Sequence, residues 1–203
     1  MLKNNFIRLL ILGVLVAIIG YTVFSTDTNS GQNNYEKKLI EDRTGKDEAF
    51  RTGEYSPIED KATFTSLKYF QPNQMYKLTA EILPYEGSDR QASVPMTDGS
   101  VETYEKYGFV SFKLNDKTFK LLIYKHENIL SILFKDATAP QETYGGGRYI
   151  DIPIENVKNG NEIELDFNTA YNPYCAYNHT YACPLPPKEN TLPIRIEAGE
   201  KNY

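Results

Sequence analysis

The chain contains two cysteines, Cys175 and Cys183, and His179 lies midway between them. At this spacing of four, the three side chains would share one face of a helix and could ligate zinc with a fourth residue from elsewhere. Cys175 could instead act as a nucleophile with His179 as its base, or the two cysteines could form a disulfide. The prolines around this segment oppose a long helix, which weakens the zinc interpretation.

A second group of residues has the types that bind small polar ligands: Arg148, Asp166, Asn168, Tyr171 and Asn172. Arg148 follows three glycines at the start of a predicted strand, where its guanidinium could clamp a carboxylate. An internal salt bridge, for example to Asp166, is the alternative. Asp166 and the two asparagines could also simply bond to nearby backbone and fix a turn. We treat these five residues as the candidate ligand-binding set.

Four tyrosines follow closely in the same region, at Tyr171, Tyr174, Tyr177 and Tyr181. If they were exposed, they would form a stacking platform for sugars or peptides. If they were buried, they would pack the cysteine loop and bond their hydroxyls to backbone. The sequence favours packing.

The amino-terminal residues have the pattern of a membrane segment. Residues 9–24 are an apolar run, and Lys3 and Arg8 precede it. As a helix the run spans about 24 Å, against a hydrocarbon core of about 30 Å, and Phe6 and Ile7 extend it. We predict a single-pass anchor with its basic flank in the cytoplasm and the following domain outside. Secretion after cleavage as a signal peptide is the alternative.

Export has a consequence for the cysteines. In an oxidising compartment, a single pair of cysteines most simply forms a disulfide. We therefore predict that Cys175 and Cys183 form a structural disulfide, worth about 2–3 kcal/mol on the chain-entropy estimate. We expect no metal and no cofactor.

Composition and charge exclude several classes of protein. With 40% hydrophobic and 24% charged residues, the chain is not a disordered tail, a disulfide-dense miniprotein or a polytopic transporter. Its formal net charge is -5. An acidic domain lacks the basic surface that nucleic acid requires, so we expect no nucleic-acid partner.

The order of the predicted elements indicates a mainly β protein. Helical composition covers residues 35–51, interrupted by Gly45, and a short helix is predicted from Pro57 to about Lys68. Alternating apolar residues then predict strands, with a tight hairpin turn at Asn115 and Asp116. The predicted strands cover residues 75–83, 91–96, 109–124, 127–134, 148–154, 161–167 and 192–198. Their spacing favours an antiparallel meander that closes as a sandwich or a small barrel.

The carboxyl-terminal half carries a resemblance to a known family. The chain resembles the bacterial and archaeal family called domain of unknown function 1684 over roughly residues 35–201. The family has no established activity, so the resemblance assigns no role to any residue. The matching strings include Asp136-Ala137-Thr138, Thr143 to Tyr149, Leu165 to Asn168, Ala170 to Pro173, Cys175-Ala176-Tyr177, Cys183 to Pro187, Asn190, Leu192 and Ala198-Gly199-Glu200.

These observations predict three segments: an anchor or signal over residues 1–25, a flexible tether over 26–34, and one β-rich domain over 35–203. The leading functional hypothesis is a non-catalytic envelope module that binds a small molecule or an envelope protein, with the membrane as the other partner of its amino-terminal helix. One alternative is a structural or interaction protein of the envelope. Another is a hydrolase that uses Asp166 or Cys175, which would require a cleft, a base and an oxyanion donor.

Overall fold

The computed structural model describes residues 31–203. The chain divides into two units, Met1–Asp42 and Arg43–Tyr203. The predicted anchor or signal over residues 1–25 lies outside the described residues. Within residues 31–203, no helix combines the length and the hydropathy that a membrane crossing requires.

Residues 31–52 form one continuous α-helix, α1. The predicted interruption at Gly45 does not occur, because a single glycine costs a helix only about 1 kcal/mol relative to alanine. Residues 31–34, which we predicted as part of a flexible tether, are already helical.

The second predicted helix, residues 57–68, is wrong, and this stretch consists of turns and irregular chain. Its polar side chains cap local turns instead of supporting a helix. Ser56 Oγ accepts from the backbone N–H of Ile58 at 3.1 Å, and Asp60 Oδ1 accepts from Ala62 N–H at 3.1 Å. Such side-chain bonds compete with helix formation.

Seven antiparallel strands form one sheet in the order β6-β5-β4-β3-β1-β7, and β2 pairs with β3 beside this path. Asn115 and Asp116 form the β3–β4 turn with φ of 50° and 59°, as the hairpin pattern predicted. The strands are β1 (Lys77–Pro84), β2 (Gln91–Pro95), β3 (Val101–Leu114), β4 (Lys117–His126), β5 (Ile129–Phe134), β6 (Arg148–Pro153) and β7 (Glu162–Asp166).

The sheet is barrel-like and nearly closed. Its two end strands, β6 and β7, approach each other, and a bridge between Tyr149 and Tyr171 joins β6 to the chain that follows β7. The apolar residues of alternate positions fill the interior, among them Val110, Leu121 and Ile132, which are fully buried. The predicted antiparallel β architecture is therefore confirmed in its barrel-like form.

The predicted strand over residues 192–198 is wrong, although its alternating residues Leu192, Ile196 and Ala198 are buried. Its first half bonds the chain after β5, where the Leu192 N–H donates to the Lys135 carbonyl and the Ala137 N–H donates to the Ile194 carbonyl. In its second half, a side chain is the partner of the carbonyl groups. Arg148 donates to the backbone oxygens of Ile196 and Ala198.

Candidate functional site

Arg148 is the most buried charged residue of the candidate set, with 1% of its surface exposed. One guanidinium nitrogen, Nη2, donates to Asp136 Oδ1 at 3.0 Å and to the Ile196 carbonyl at 3.1 Å. The other, Nη1, donates to the carbonyls of Ala198 and, at 3.2 Å, Glu200. Burial lowers the pKa of Arg148, and the carboxylate of Asp136 opposes that shift. The expected salt bridge exists, but its partner is Asp136 and not Asp166.

Asp136 completes this arrangement from the opposite side. Its Oδ2 accepts from the Ile196 N–H at 2.8 Å and from the Thr138 hydroxyl at 2.8 Å. Arg148 and Asp136 therefore bond alternate carbonyls and one N–H of the carboxyl-terminal segment, much as a strand edge would. We call these two residues the inner clamp.

The glycines before β6 serve this geometry. Gly147 has φ of +97°, and a Cβ atom there would lie 2.8 Å from the carbonyl oxygen of Phe134. A residue with a side chain would be strained in this conformation and would contact the backbone too closely. Gly147 thus permits the turn that brings Arg148 into the interior.

Asn172 belongs to a second buried group around the carboxylate of Glu200, which is 1% exposed. Glu200 accepts from the backbone and side-chain N–H groups of Asn172, each at 3.2 Å, from Lys46 Nζ at 2.8 Å and from the hydroxyl of Tyr177. Burial and the neighbouring Glu200 raise the pKa of Tyr177. We call these four residues the Glu200 cluster.

Asp166 and Asn168 fix the turn after β7. Asp166 Oδ1 accepts from the backbone and side-chain N–H groups of Asn168, both at 2.9 Å. Asn168 in turn exchanges two 2.9 Å bonds with the backbone of Asn73. Asp166 also lines a cavity of about 340 Å³ between β6 and β7, together with Glu164 and Lys158.

Tyr171 lines a second concave site, a groove that is open to solvent. The groove crosses the outer face of β3 to β6 and has a volume of about 500 Å³. We call it the outer-face groove. Side chains that line it include Glu102, Tyr104, Leu133, Tyr149, Asp151 and Tyr171.

Hydrogen bonds within the protein hold the tyrosine rings of the groove in place. The Tyr171 hydroxyl donates to Asp151 Oδ2 at 2.6 Å, and the Tyr149 hydroxyl donates to the Pro184 carbonyl. The Tyr149 and Tyr171 rings meet edge to face at 5.8 Å. Burial, followed by the charge of Asp151, raises the pKa of Tyr171, so its hydroxyl stays neutral. Both rings are thereby positioned before any ligand arrives.

The two cysteines are buried and adjacent, and both are free thiols in this structure, so the predicted disulfide is not formed here. The backbone N–H of Cys175 donates to Cys183 Sγ at 3.2 Å, and the Tyr144 hydroxyl donates to Cys175 Sγ at 3.6 Å. Hydrogen bonding from Cys183, reinforced by Tyr144, lowers the pKa of Cys175 to about 6. The lowered pKa favours the thiolate form of Cys175.

His179 does not join the cysteines, because it is exposed while they are buried. Across residues 31–203, no three His, Cys, Asp or Glu side chains gather in a way that could hold a metal ion. The zinc interpretation of Cys175, His179 and Cys183 has no support in this part of the chain.

The tyrosine segment divides between packing and exposure. Tyr177 packs into the Glu200 cluster, as the packing interpretation predicts. Tyr174 is exposed and meets Tyr181 edge to face at 5.4 Å.

Sequence reasoning missed several residues that matter most. Asn190 is fully buried and bonds the Leu122 N–H at 2.6 Å and the carbonyls of Leu122 and Leu133 at 2.9 and 2.7 Å. It thereby joins β4 to β5, and no local pattern signals that role. The sequence could have indicated Tyr149 and Asp151, because the alternation of residues 148–154 places them on the strand face opposite Ile150.

Comparisons with known proteins agree with this description. The sequence profile of a family described as a protein of unknown function, DUF1684, matches residues 62–201. The structure is similar to the solution NMR structure of an uncharacterised protein from Haloarcula marismortui, with a TM-score of 0.64 and 33% sequence identity. That similarity covers 85% of this chain and 96% of the archaeal one. The search of curated proteins found no match.

Proposed function

Since the chain belongs to the DUF1684 family of proteins of unknown function, we propose a function from the geometry of its own residues: it is a non-catalytic module that binds a small ligand in the outer-face groove. The observation that carries this proposal is the groove itself. Its volume of about 500 Å³ falls within the range of roughly 300–1,000 Å³ typical of small-molecule sites.

The contrast with the rest of the candidate set supports this choice. The polar atoms of Arg148, Asn168 and Asn172 are mostly engaged by other parts of the chain. A ligand would have to break those bonds to reach them. The rings of Tyr104 and Tyr171 are partly exposed and need no such rearrangement.

The hydrolase alternative has a cavity of about 340 Å³ beside Asp166, but its proposed nucleophiles are covered and engaged. Asp166 is 8% exposed, and its carboxylate already accepts two hydrogen bonds from Asn168. Cys175 is 2% exposed and is contacted by Tyr144. A substrate would need these side chains to be uncovered before either could attack.

We place this module outside the cytoplasm, either anchored by residues 1–25 or secreted after their cleavage. The support is the apolar run of residues 9–24 with Lys3 and Arg8 before it. Protease treatment of intact cells or spheroplasts should digest the domain while a cytoplasmic control protein survives. Protection of the domain until the cells are lysed would contradict this location.

The proposed location has a consequence for the two cysteines. We propose that Cys175 and Cys183 form a disulfide in an oxidising compartment, each losing a proton and an electron to a disulfide oxidant there. The support is their adjacency, with the Cys175 N–H 3.2 Å from Cys183 Sγ. Intact mass after export should show two hydrogens fewer than the reduced chain. Two alkylatable thiols in exported protein would contradict the proposal.

The groove is tested by titrating the full chain in a choline-free maltoside detergent with one probe of each ligand class. Suitable probes are choline, acetate and methyl α-glucoside, followed by calorimetry. We expect saturable binding of at least one probe, weakened about tenfold or more by Tyr104→Leu, which removes a ring that stacking would use. Tyr55→Leu is the matched control, because Tyr55 is 81% exposed and lies outside the groove. Equal binding by both variants, or no binding by the wild type, would overturn the proposed function.

A further inference from the structure

We infer that the ligand of the outer-face groove is a small organic cation of the ammonium type. This inference rests on the proposed function and names the ligand class of that same site.

Strand pairing and the alternation of side chains determine which residues face the groove. Lys106 on β3 pairs with Tyr124 on β4, and the rings of Tyr104 and Tyr124 meet at 5.4 Å. Because side chains alternate along a strand, residues 102 and 104 share the groove face with Tyr124. Glu105 and Lys125, which pair with each other, fall on the opposite face.

The same alternation applies to the other strands of the groove. On β6, Tyr149 and Asp151 share one face, while Ile150 points into the core. On β4, His126 shares the face of Tyr124. Among the side chains that line the groove, this face carries the carboxylates of Glu102 and Asp151, while Lys125 lies by alternation on the other face. Lys106 shares this face beyond the groove lining, where its ammonium group donates to Tyr85 and Asp89.

The rings and polar atoms of this face determine which ligand it can bind. The hydroxyls of Tyr149 and Tyr171 donate to Pro184 and Asp151 within the protein. Burial raises the pKa of Tyr104, and the negative charge of nearby Glu102 raises it further. The groove thus presents neutral aromatic rings and carboxylate oxygens, which are acceptors. A ligand that supplies positive charge and donors complements both.

The structure already contains one example of this interaction. Lys46 Nζ lies 5.2 Å from the centre of the Tyr171 ring and 5.2 Å from that of Phe50. The charge of this lysine is balanced by Glu200 at 2.8 Å. An ammonium group on the face of Tyr171 is therefore an arrangement that this chain itself uses.

An anion and a neutral sugar would each interact with this face differently from a cation. An anion would meet the negative charges of Glu102 and of Asp151, whose carboxylate accepts, among the described residues, only from the neutral hydroxyls of Ser131 and Tyr171. A neutral sugar could stack on the rings, but its affinity would be largely independent of charge. A pair of probes that differ in charge and agree in shape can therefore decide the question.

Choline and 3,3-dimethyl-1-butanol form such a pair, because the second replaces the quaternary nitrogen of the first by carbon. We expect the full chain, in choline-free maltoside detergent, to bind choline about tenfold or more tightly than the neutral alcohol. Putrescine, a primary diamine, should compete with choline. Glu102→Gln should weaken choline binding several-fold and leave the affinity for the alcohol unchanged.

The control is Glu155→Gln, because Glu155 is exposed and lies outside the groove. It should bind choline as the wild type does. Equal affinity for choline and the alcohol would overturn the cation inference while leaving the proposed groove intact. If neither compound and neither of the other probes binds, both the inference and the proposed function are wrong.

Discussion

The two faces of strand β6 each carry a charged side chain, and the two charged residues have different roles. Arg148 lies on the inner face, where it bonds Asp136 and three carbonyls of the carboxyl-terminal segment. Tyr149 and Asp151, on the outer face, line a groove that is open to solvent. The pleat of one strand therefore separates a charged residue that holds the fold from residues that line the groove, and the presence of a charge alone does not distinguish them.

The largest expected effect comes from breaking the inner clamp. Arg148→Met should lower the free energy of unfolding by about 3–5 kcal/mol, because it leaves the buried carboxylate of Asp136 without its partner. Urea unfolding followed by circular dichroism measures the change. Arg195→Met, which removes exposed ion pairs to Glu142 and Glu197, should leave the midpoint nearly unchanged. A similar loss in both variants would remove the distinction between the two kinds of arginine.

A smaller loss is expected where β4 and β5 are joined by a side chain. Asn190→Ala should cost about 2–3 kcal/mol, because it leaves the buried backbone groups of Leu122 and Leu133 without bonds. The exposed Asn156→Ala is the control. If Asn190→Ala unfolds at the wild-type urea concentration, then Asn190 does not join the strands.

The thiol pair predicts a pH dependence in the reduced protein. The folded pKa of Cys175 is lowered to about 6, against about 8.5 in an unfolded chain. A lowered pKa stabilises the fold above the unfolded value, and this contribution is lost as pH falls toward 6. The stability difference between reduced wild type and Cys175→Ser should therefore grow from pH 6 to about 8.5.

Unfolding by urea with reductant, at several pH values, measures that difference between wild type and variant. A difference that stays constant over this range would show that the pKa of Cys175 is not lowered in the folded protein. Alkylation of Cys175 gives an independent reading, because only the thiolate reacts.

The smallest effect is expected on the outer face. Tyr171→Phe removes the 2.6 Å bond to Asp151 and should cost about 1 kcal/mol. Because the ring remains, the choline affinity of Tyr171→Phe should differ from that of the wild type by less than twofold. Tyr104→Leu should lose much more. A large loss of affinity in Tyr171→Phe would mean that the hydroxyl itself contacts the ligand.

Local patterns in the sequence predicted the parts of the fold that depend on neighbouring residues. Alternation identified most of the barrel-like sheet, although it missed residues 101–108 of β3. Asn115 and Asp116 marked the β3–β4 turn because both tolerate positive φ. The Asp166 and Asn168 turn was likewise available from side chains that bond nearby backbone.

The errors arise where distant residues decide the outcome. Residues 192–198 alternate like a strand, but only their first half bonds a neighbouring backbone, at residues 135–137. The guanidinium of Arg148 bonds the later carbonyls of Ile196 and Ala198. The ion-pair partner of Arg148 is Asp136 because the glycine turn at Gly147 brings them together. The groove requires strands β3 to β6 to lie side by side, which no single segment of sequence specifies.

The most direct test compares the tyrosines of the outer-face groove with a tyrosine of the buried Glu200 cluster. The full chain, labelled with ¹³C in its tyrosine rings and held in choline-free maltoside micelles, would be titrated with choline, and ring signals would be assigned by single Tyr→Phe variants. We predict that the signals of Tyr104, Tyr149 and Tyr171 shift, while that of Tyr177 in the Glu200 cluster does not. Shifts at Tyr177 without shifts at Tyr104 and Tyr149 would place the ligand in the buried region and contradict the account.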